Sequence, residues 1–460
     1  MRSNCLAVLS LAFPVAIHGQ NAPTQAFQQW AHEHVHAISS VDKDTRGDAD
    51  LRPLRDIIGS AKVVGFGEPF HGGHEPLVMR NRLIRYAVTQ LGFTAVAVET
   101  ALNTSRRMYD HVLGKTTETD TALKEAFSYG FGDYPENLEL IQWLRTYNST
   151  QPPLRRVSIY GFDSGQYDPY AYRSIEAVLT FLDRADPRRG QDFRKQYTDV
   201  ISVFRSDKYV KLTPTEKDAV TGKVQDMIAF IRRERIPLTT ATSRDEYEWA
   251  LRQALNAAHD DAFLRSLPPE FDWDLLQKSP EKFQPSERWE HNREMRELSM
   301  ADNLEWVWRR ENTRGKILFF AHDVHAQSSV TTWGSPNRPL VWVVQRHRPA
   351  GMYLRSELGG DMVVIGTYFG RGTGFPAESA PLPPDTAGMD SLLRSLSIPL
   401  FMMDLRKLPS SGILHEWFQT PHETRSLDSG HDTAMVAPLG AYDAILFIET
   451  ITPTPAPQKH

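Results

Sequence analysis

Residues 62–75 read KVVGFGEPFHGGHE. After Lys62, the run to Gly67 is apolar or glycine without alternation, the pattern of a strand covered on both faces. Glu68 follows at once, then Pro69, Phe70, His71, Gly72, Gly73, His74 and Glu75. Short apolar runs recur at residues 94–98 (TAVAV), 157–161 (VSIYG), 317–321 (ILFFA), 362–367 (MVVIGT), 398–403 (IPLFMM) and 444–448 (AILFI). Seven such runs, spaced by helical patterns, predict an α/β fold: a mostly parallel central sheet flanked by helices.

The polar residues that end these runs carry the chemistry. Glu68 follows the first and Glu99 ends the second; Asp163 lies just past the third, and His322-Asp323-Val324-His325 follows the fourth. In an open parallel sheet, ligands bind beyond the carboxyl ends of the strands. Four strands therefore deliver Glu, Asp and His side chains to one rim, which predicts an active site there. The helix after the first loop has Leu77, Ile84, Ala87 and Leu91 on its apolar stripe, and Arg80 shares that stripe. An inward guanidinium needs a carboxylate or a substrate oxyanion, and Glu68 and Glu99 are the nearest candidates. Arg82 and Arg85 point elsewhere and read as solvated.

Several chemistries fail on their motifs. There is no G-x-S-x-G nucleophile elbow. Gly161-Phe-Asp163-Ser-Gly165 has its shape with Asp in the nucleophile slot, and reads as a structural Asp at a strand end. Gly370-Arg-Gly372-Thr-Gly374 reads as a flexible loop without the Lys of a phosphate loop. His71/His74 and His322/His325 form two H-x-x-H pairs that, with Glu68 and Glu99, could hold a metal. With no Ser or Cys nucleophile evident, attack by a His-activated water is the natural mechanism. A carboxylate would set the His tautomer, and Arg or a second His would stabilise the oxyanion.

The whole chain has 460 residues, 40% hydrophobic and 24% charged, with a net charge of −5. That composition is ordinary for a globular protein. No Lys/Arg run tracks a phosphate backbone, so nucleic-acid binding is not expected. No stretch reaches the roughly 20 apolar residues of a membrane span. One cysteine excludes a disulfide scaffold. Residues 1–20 read as a signal peptide: Arg2, an apolar run at 6–17, then His18-Gly19-Gln20. That predicts a periplasmic or secreted protein.

An amphipathic helix follows, with Phe27, Trp30, Ala31 and Ile38 on one stripe and His32, His34 and His36 facing solvent. Residues 21–171 then form the first part of an α/β core. Residues 172–312 lack strand signals and read as a helical insertion lobe, with capping boxes at Thr213–Glu216 and Ser243–Glu246. Residues 313–450 complete the core, broken by Pro-rich loops at 336–339 and 376–384. Residues 451–460 form a Pro-rich, frayed tail.

These residues resemble the erythromycin esterase family. The likeness runs through DLRPL at 50–54, VVGFGEPFHGGHE at 63–75, RLIR at 82–85 and GFTAVAVE at 92–99. It continues through LIQWLRTYN at 140–148, YGFD at 160–163, residues 296–303, AHDVH at 321–325, and residues 353–366. The resemblance implies hydrolysis of a carboxylic ester or macrolactone by water, with a small-molecule, macrolide-like substrate; no cofactor is expected. It implies His71 as general base, with Glu68 and Glu99 orienting or polarising. Arg80 would bind the oxyanion or position a carboxylate, and His322 would complete the catalytic group. His74, Glu75, Phe70, Asp163, Asp323 and His325 would line the substrate. Two positions depart from the family pattern: Phe70 for a small Thr, which narrows the mouth of the site, and Asp323 for Asn, which adds negative charge. Two other readings fit the same residues. One is an exported metal- or haem-binding protein using the H-x-x-H pairs. The other is a polysaccharide-modifying esterase, with Trp143, Tyr129 and Tyr134 stacking on sugar rings.

Overall fold

Strands with no polar face need cover on both sides, and the chain supplies it. The computed structural model describes residues 21–42, 47–165, 171–267, 287–334, 344–372, 388–425 and 433–455. The expected leader and the Pro-rich loops at 336–339 and 376–384 lie outside these residues. The strands are β1 Val35–Ala37, β2 Val63–Glu68, β3 Phe93–Ala101, β4 Ser158–Asp163, β5 Lys316–His322, β6 Thr331–Gly334, β7 Val344–His347, β8 Met362–Gly372, β9 Leu400–Asp404, β10 His422–Thr424, β11 Thr433–Val436 and β12 Ala444–Ile451. The main sheet has eight strands in the order β1-β9-β12-β8-β2-β5-β3-β4. From β12 to β4 every neighbour is parallel. At the other edge β9 is antiparallel to both β12 and β1.

The seven apolar runs are β2, β3, β4, β5, β8, β9 and β12. Their lack of alternation has a direct cause. Val64, Phe66, Val96, Val98, Leu318 and Phe320 pack into one core. Val63, Ala95, Ala97, Ile317 and Phe319 pack into another. Both faces of the sheet are therefore buried.

A second, four-stranded antiparallel sheet, β10-β11-β6-β7, was not legible, because its strands are only three or four residues long. The first helix, Asn21–His34, stops short of Ile38, and His36 sits on edge strand β1. His34 stacks on Trp30 at 4.6 Å instead of facing open solvent. Residues 370–372 finish β8 and are not a loop. The tail begins with an anchored stretch: Gly73 and Pro453 form an antiparallel bridge, and the Thr454 amide donates to Gly72 O at 2.8 Å.

Between β4 and β5 the described residues form only helices, from Arg173–Ala185 to Glu287–Glu311. Thr213 and Glu216 close a full capping box, and the Ser243 hydroxyl accepts from the Glu246 amide. Residues between 171 and 267 build their own core. The helix Glu287–Glu311 instead sends Met300, Leu304 and Val307 into a core of the main sheet. It therefore ties the helical region to the strands.

Within the helices, Asp260 is fully buried. Its Oδ2 accepts from the Ser174 hydroxyl at 2.9 Å and Asn256 Nδ2 at 3.2 Å, while Oδ1 has no hydrogen-bond partner. Burial, with the charges of Asp163 and Asp261, raises its carboxyl well above the ordinary range. A raised folded value means that the folded state keeps a proton the unfolded chain has lost. Stability therefore falls as pH rises from the unfolded value, about 3.9, through the folded one. Asp260→Asn removes that titration. We expect the variant's melting temperature to gain on the wild type steadily with rising pH. A difference that is the same at pH 5 and pH 9 would refute this account.

Candidate functional site

β2 pairs in parallel with β5, with Glu68 opposite His322. β3 flanks β5 on the other side, and its register against β4 slips between Val98 and Ala101. A bulge of this kind re-aims side chains locally, and Glu99 lies in it. The strand ends thus bring Glu68, Glu99, Asp163 and His322 to one rim.

His71 is held on this rim by Glu68, whose Oε1 lies 2.7 Å from Nδ1. Its Nε2 lies 3.9 Å from Glu99 Oε1. The ring is flanked by His322, centroids 5.1 Å apart, and by Phe131 at 4.7 Å. His322 is fully buried. Its Nδ1 accepts the Val324 amide at 3.1 Å, which leaves the ring proton on Nε2. Its own amide donates to Glu99 Oε2 at 2.8 Å.

The two carboxylates are pushed in opposite directions. Burial raises the Glu68 carboxyl, although His71 opposes it. Burial pushes Glu99 up as well, but His325, His71, Arg296 and the His322 amide outweigh it and hold it at about 2. Glu99 is thus a fixed anion. The second Glu68 oxygen, Oε2, has no hydrogen-bond partner, and Glu68, Arg80, Glu99 and Asn137 border a cavity of about 20 Å³. That is roughly the room of one water molecule.

The centre of the network is a residue that the sequence reading had not singled out. Arg296, on the helix Glu287–Glu311, donates to Asp163 Oδ2 at 2.7 Å and to Glu99 Oε1 at 3.0 Å. Its Nη1 lies 3.1 Å from His325 Nε2, which acts as acceptor, so the His325 proton sits on Nδ1. Nδ1 then donates to Glu297 Oε1 at 2.7 Å, and Glu297 Oε2 accepts the Ala350 amide. Asp163 also accepts the Tyr129 hydroxyl at 2.8 Å. Tyr129 itself holds φ at 60°, an uncommon conformation for a bulky residue. Arg296 falls inside the block at 296–303, but no spacing rule links it to Glu99. Glu297 falls inside the same block, and Glu136 carried no sequence signal.

Other expected residues are placed differently. Arg80 is buried but bonds neither rim carboxylate. It donates to Asn81 Oδ1, Asn137 Oδ1 and Glu136 O, and lies over the Phe320 ring. Burial lowers its guanidinium to about 10. Arg82 is not solvated: it is 2% exposed and bonds Asp50, Asp48 and Ser40 O. Arg85 is partly exposed and pairs with Glu139. Phe70 is fully buried edge-on to Phe369 and does not narrow a mouth. His74 Nδ1 lies 2.5 Å from Glu136 Oε1. Glu75 turns to the tail, accepting the Thr452 amide and hydroxyl.

Asp323 lies behind the rim, so close to Gly67 that a methyl there would sit 1.9 Å from Oδ1. Burial, helped by Glu68, raises its carboxyl well above the usual range. A protonated carboxyl resembles the outline of an amide and adds no charge. Trp143 stacks on Tyr147, and Tyr134 on Phe131, so both rings are engaged within the protein. Among the described residues, no three His, Cys, Asp or Glu side chains group as a metal site.

The erythromycin esterase family model matches residues 88–451. The chain belongs to that family. The match includes Glu99, Asp163, Arg296, His322 and His325, and begins after the loop of His71. Erythromycin esterase type II of Escherichia coli is 23% identical over 376 residues, 78% of this chain and 80% of that protein. YbfO of Bacillus subtilis (strain 168), provisionally named a hydrolase, is 21% identical over 98% of this chain and 97% of its own. A Bacillus cereus crystal structure aligns at TM-score 0.75 and 20% identity, over 95% of this chain and 99% of that one. A mutant of the erythromycin esterase EreC in its open conformation aligns at TM-score 0.62 and 15% identity, over 90% and 97%. The solved structures share the fold. Family membership supports a hydrolase.

Arg296 compensates two buried carboxylates, so its removal exposes their cost. Arg296→Met should lower unfolding free energy at neutral pH by about 3–5 kcal/mol. Glu99, with a depressed folded value, contributes stability that is present above its unfolded value and lost progressively as pH falls from there through about 2. Chemical denaturation at several pH values measures both. A loss below about 1 kcal/mol, the scale of a surface pair, would mean that Arg296 is not the clamp.

Proposed function

We propose that this member of the family hydrolyses a carboxylic ester or macrolactone by direct attack of water. The observation that carries the reading is the His71 environment. Glu68 beside Nδ1 favours the tautomer with its lone pair on Nε2, the arrangement a general base needs. Nε2 faces the fixed negative charge of Glu99, which would stabilise the imidazolium as it forms.

In the proposed step a water oxygen bonds to the acyl carbon while its proton passes to His71 Nε2. The carbonyl oxygen becomes an oxyanion. His322, whose ring lies 5.1 Å from that of His71 and carries its proton on Nε2, is the imidazole donor we assign to that charge. Collapse breaks the acyl carbon–alkoxy oxygen bond, and His71 returns the proton to the leaving alkoxide. Arg296 acts behind the rim by holding Glu99. Arg80 supports the floor through Asn81 and Asn137, and in this reading does not touch substrate. No step runs through a metal ion.

The test is a panel of macrolides, simple esters and acylated polysaccharides, followed by mass. The protein should add one water to at least one substrate, unchanged by a chelator. His71→Ala should remain folded and lose activity by about 10²-fold or more, the scale of general base catalysis. Undiminished turnover in His71→Ala would overturn the assignment, and loss on chelation would return the H-x-x-H pairs to metal binding.

We also infer export, from the positive, apolar and small-residue segments of residues 1–20. The mature protein from the native host should lack that segment by intact mass. Recovery of the full-length chain from the cytoplasm would exclude it.

A further inference from the structure

The loop that carries His71 has a second anchor, from the far end of the chain. Phe70, just before His71, is fixed in the core, and Gly72, just after it, adopts φ of 74° to turn the chain. Immediately beyond, the chain must begin the helix His74–Gln90. Its preceding residue, Gly73, offers no side-chain cap. The first amides of a helix lack intrahelical partners and need acceptors.

The segment that follows β12 supplies one. The His74 amide donates to Thr452 O at 2.8 Å, and the Thr454 amide donates to Gly72 O at 2.8 Å. In return, Glu75 in the first helical turn accepts the Thr452 amide on Oε2 at 2.6 Å and the Thr452 hydroxyl on Oε1 at 2.8 Å. The exchange works as a capping box built between two distant segments. Glu75 is also an anion at the positive end of the helix dipole. Ile451 closes the gap: a methyl on Gly73 would lie 2.8 Å from its Cγ2.

We propose that the 451–454 segment is a strap that sets the position of His71, with Glu75 and Thr452 as positioning residues. The strap's hydrogen bonds run to Gly72, His74 and Glu75, on the backbone and first helical turn after His71. It acts by fixing the backbone on the C-terminal side of His71, while Glu68 fixes the ring. Misplacement of a catalytic group by about 1 Å can cost about 10²-fold in rate. This inference rests on the reading of His71 as the base, but its geometric content can be tested without that reading.

Three variants isolate the strap: Glu75→Ala, Glu75→Gln, and a chain ending at Ile451. Glu75→Gln keeps one acceptor for the Thr452 amide and offers a donor to its hydroxyl. Melting temperature reports folding for each, and the truncated chain is used only if it melts cooperatively. On an ester turned over by the wild type, Glu75→Ala should lose about tenfold to 10²-fold in kcat. Its KM should stay within about twofold, because the strap is remote from the rim. Glu75→Gln should recover most of the rate. In parallel, NMR of histidine-labelled protein follows the His71 ring. Its signal should shift and its titration midpoint move in Glu75→Ala, and return in Glu75→Gln. If the wild type hydrolyses nothing in the panel, the assignment of His71 as base fails, and the NMR arm alone judges the strap. An unmoved His71 signal in folded Glu75→Ala overturns the strap, as does a rate loss that Glu75→Gln leaves uncorrected.

Discussion

A guanidinium with little access to water joins four parts of this fold. Arg296 lies on a helix whose residues 300–307 pack on the main sheet, and its N–H groups reach the ends of β3 and β4 and the turn after β5. Asp163 and Glu99 are both nearly without solvent. Two buried carboxylates each cost several kcal/mol unless paired and hydrogen-bonded. One arginine answers two of them, so the rim keeps an excess of negative charge. Such a site favours the arrival of a positive charge, and the imidazoles beside it are the groups that can carry one.

The three rim histidines are distinguished by their Nδ1 partners. Nδ1 of His71 meets a carboxylate whose own value is raised by burial. Nδ1 of His322 accepts a backbone amide and therefore carries no proton. Nδ1 of His325 faces Glu297, and its Nε2 receives Arg296. These are different chemical states of one residue type, set by the atom each ring finds on its Nδ1 side. Glu68 and Glu99 divide in the same way. The neighbours of Glu68 do not offset its burial, whereas those of Glu99, Arg296 and the His322 amide among them, outweigh it.

The apparent departures from the family pattern also have structural accounts. Phe70 meets Phe369 in the core instead of a substrate. Asp323 is enclosed against Gly67, and burial raises its carboxyl well above the usual range, which favours the uncharged form. The Pro-rich tail begins with residues that cap the helix after the His71 loop, which gives Glu75 a partner in the chain itself.

By itself the sequence determined the seven main strands, because burial on both faces writes an unbroken apolar run within five or six residues. It also determined which residues end those strands, and so the presence of Glu68, Glu99, Asp163 and His322 on one rim. The tertiary structure decided the pairings. Arg296 and Glu99 are 197 positions apart, and Glu75 and Thr452 are 377 apart. No periodicity spans such distances, because these contacts exist only once strand order and helix packing have closed the intervening chain. The bulge at Glu99, the inward turn of Arg82 and the engagement of Arg80 with Asn137 belong to the same class. Local pattern is fixed by which face of an element is wet; the partner of a buried charge is fixed by what the fold brings within 3 Å or so.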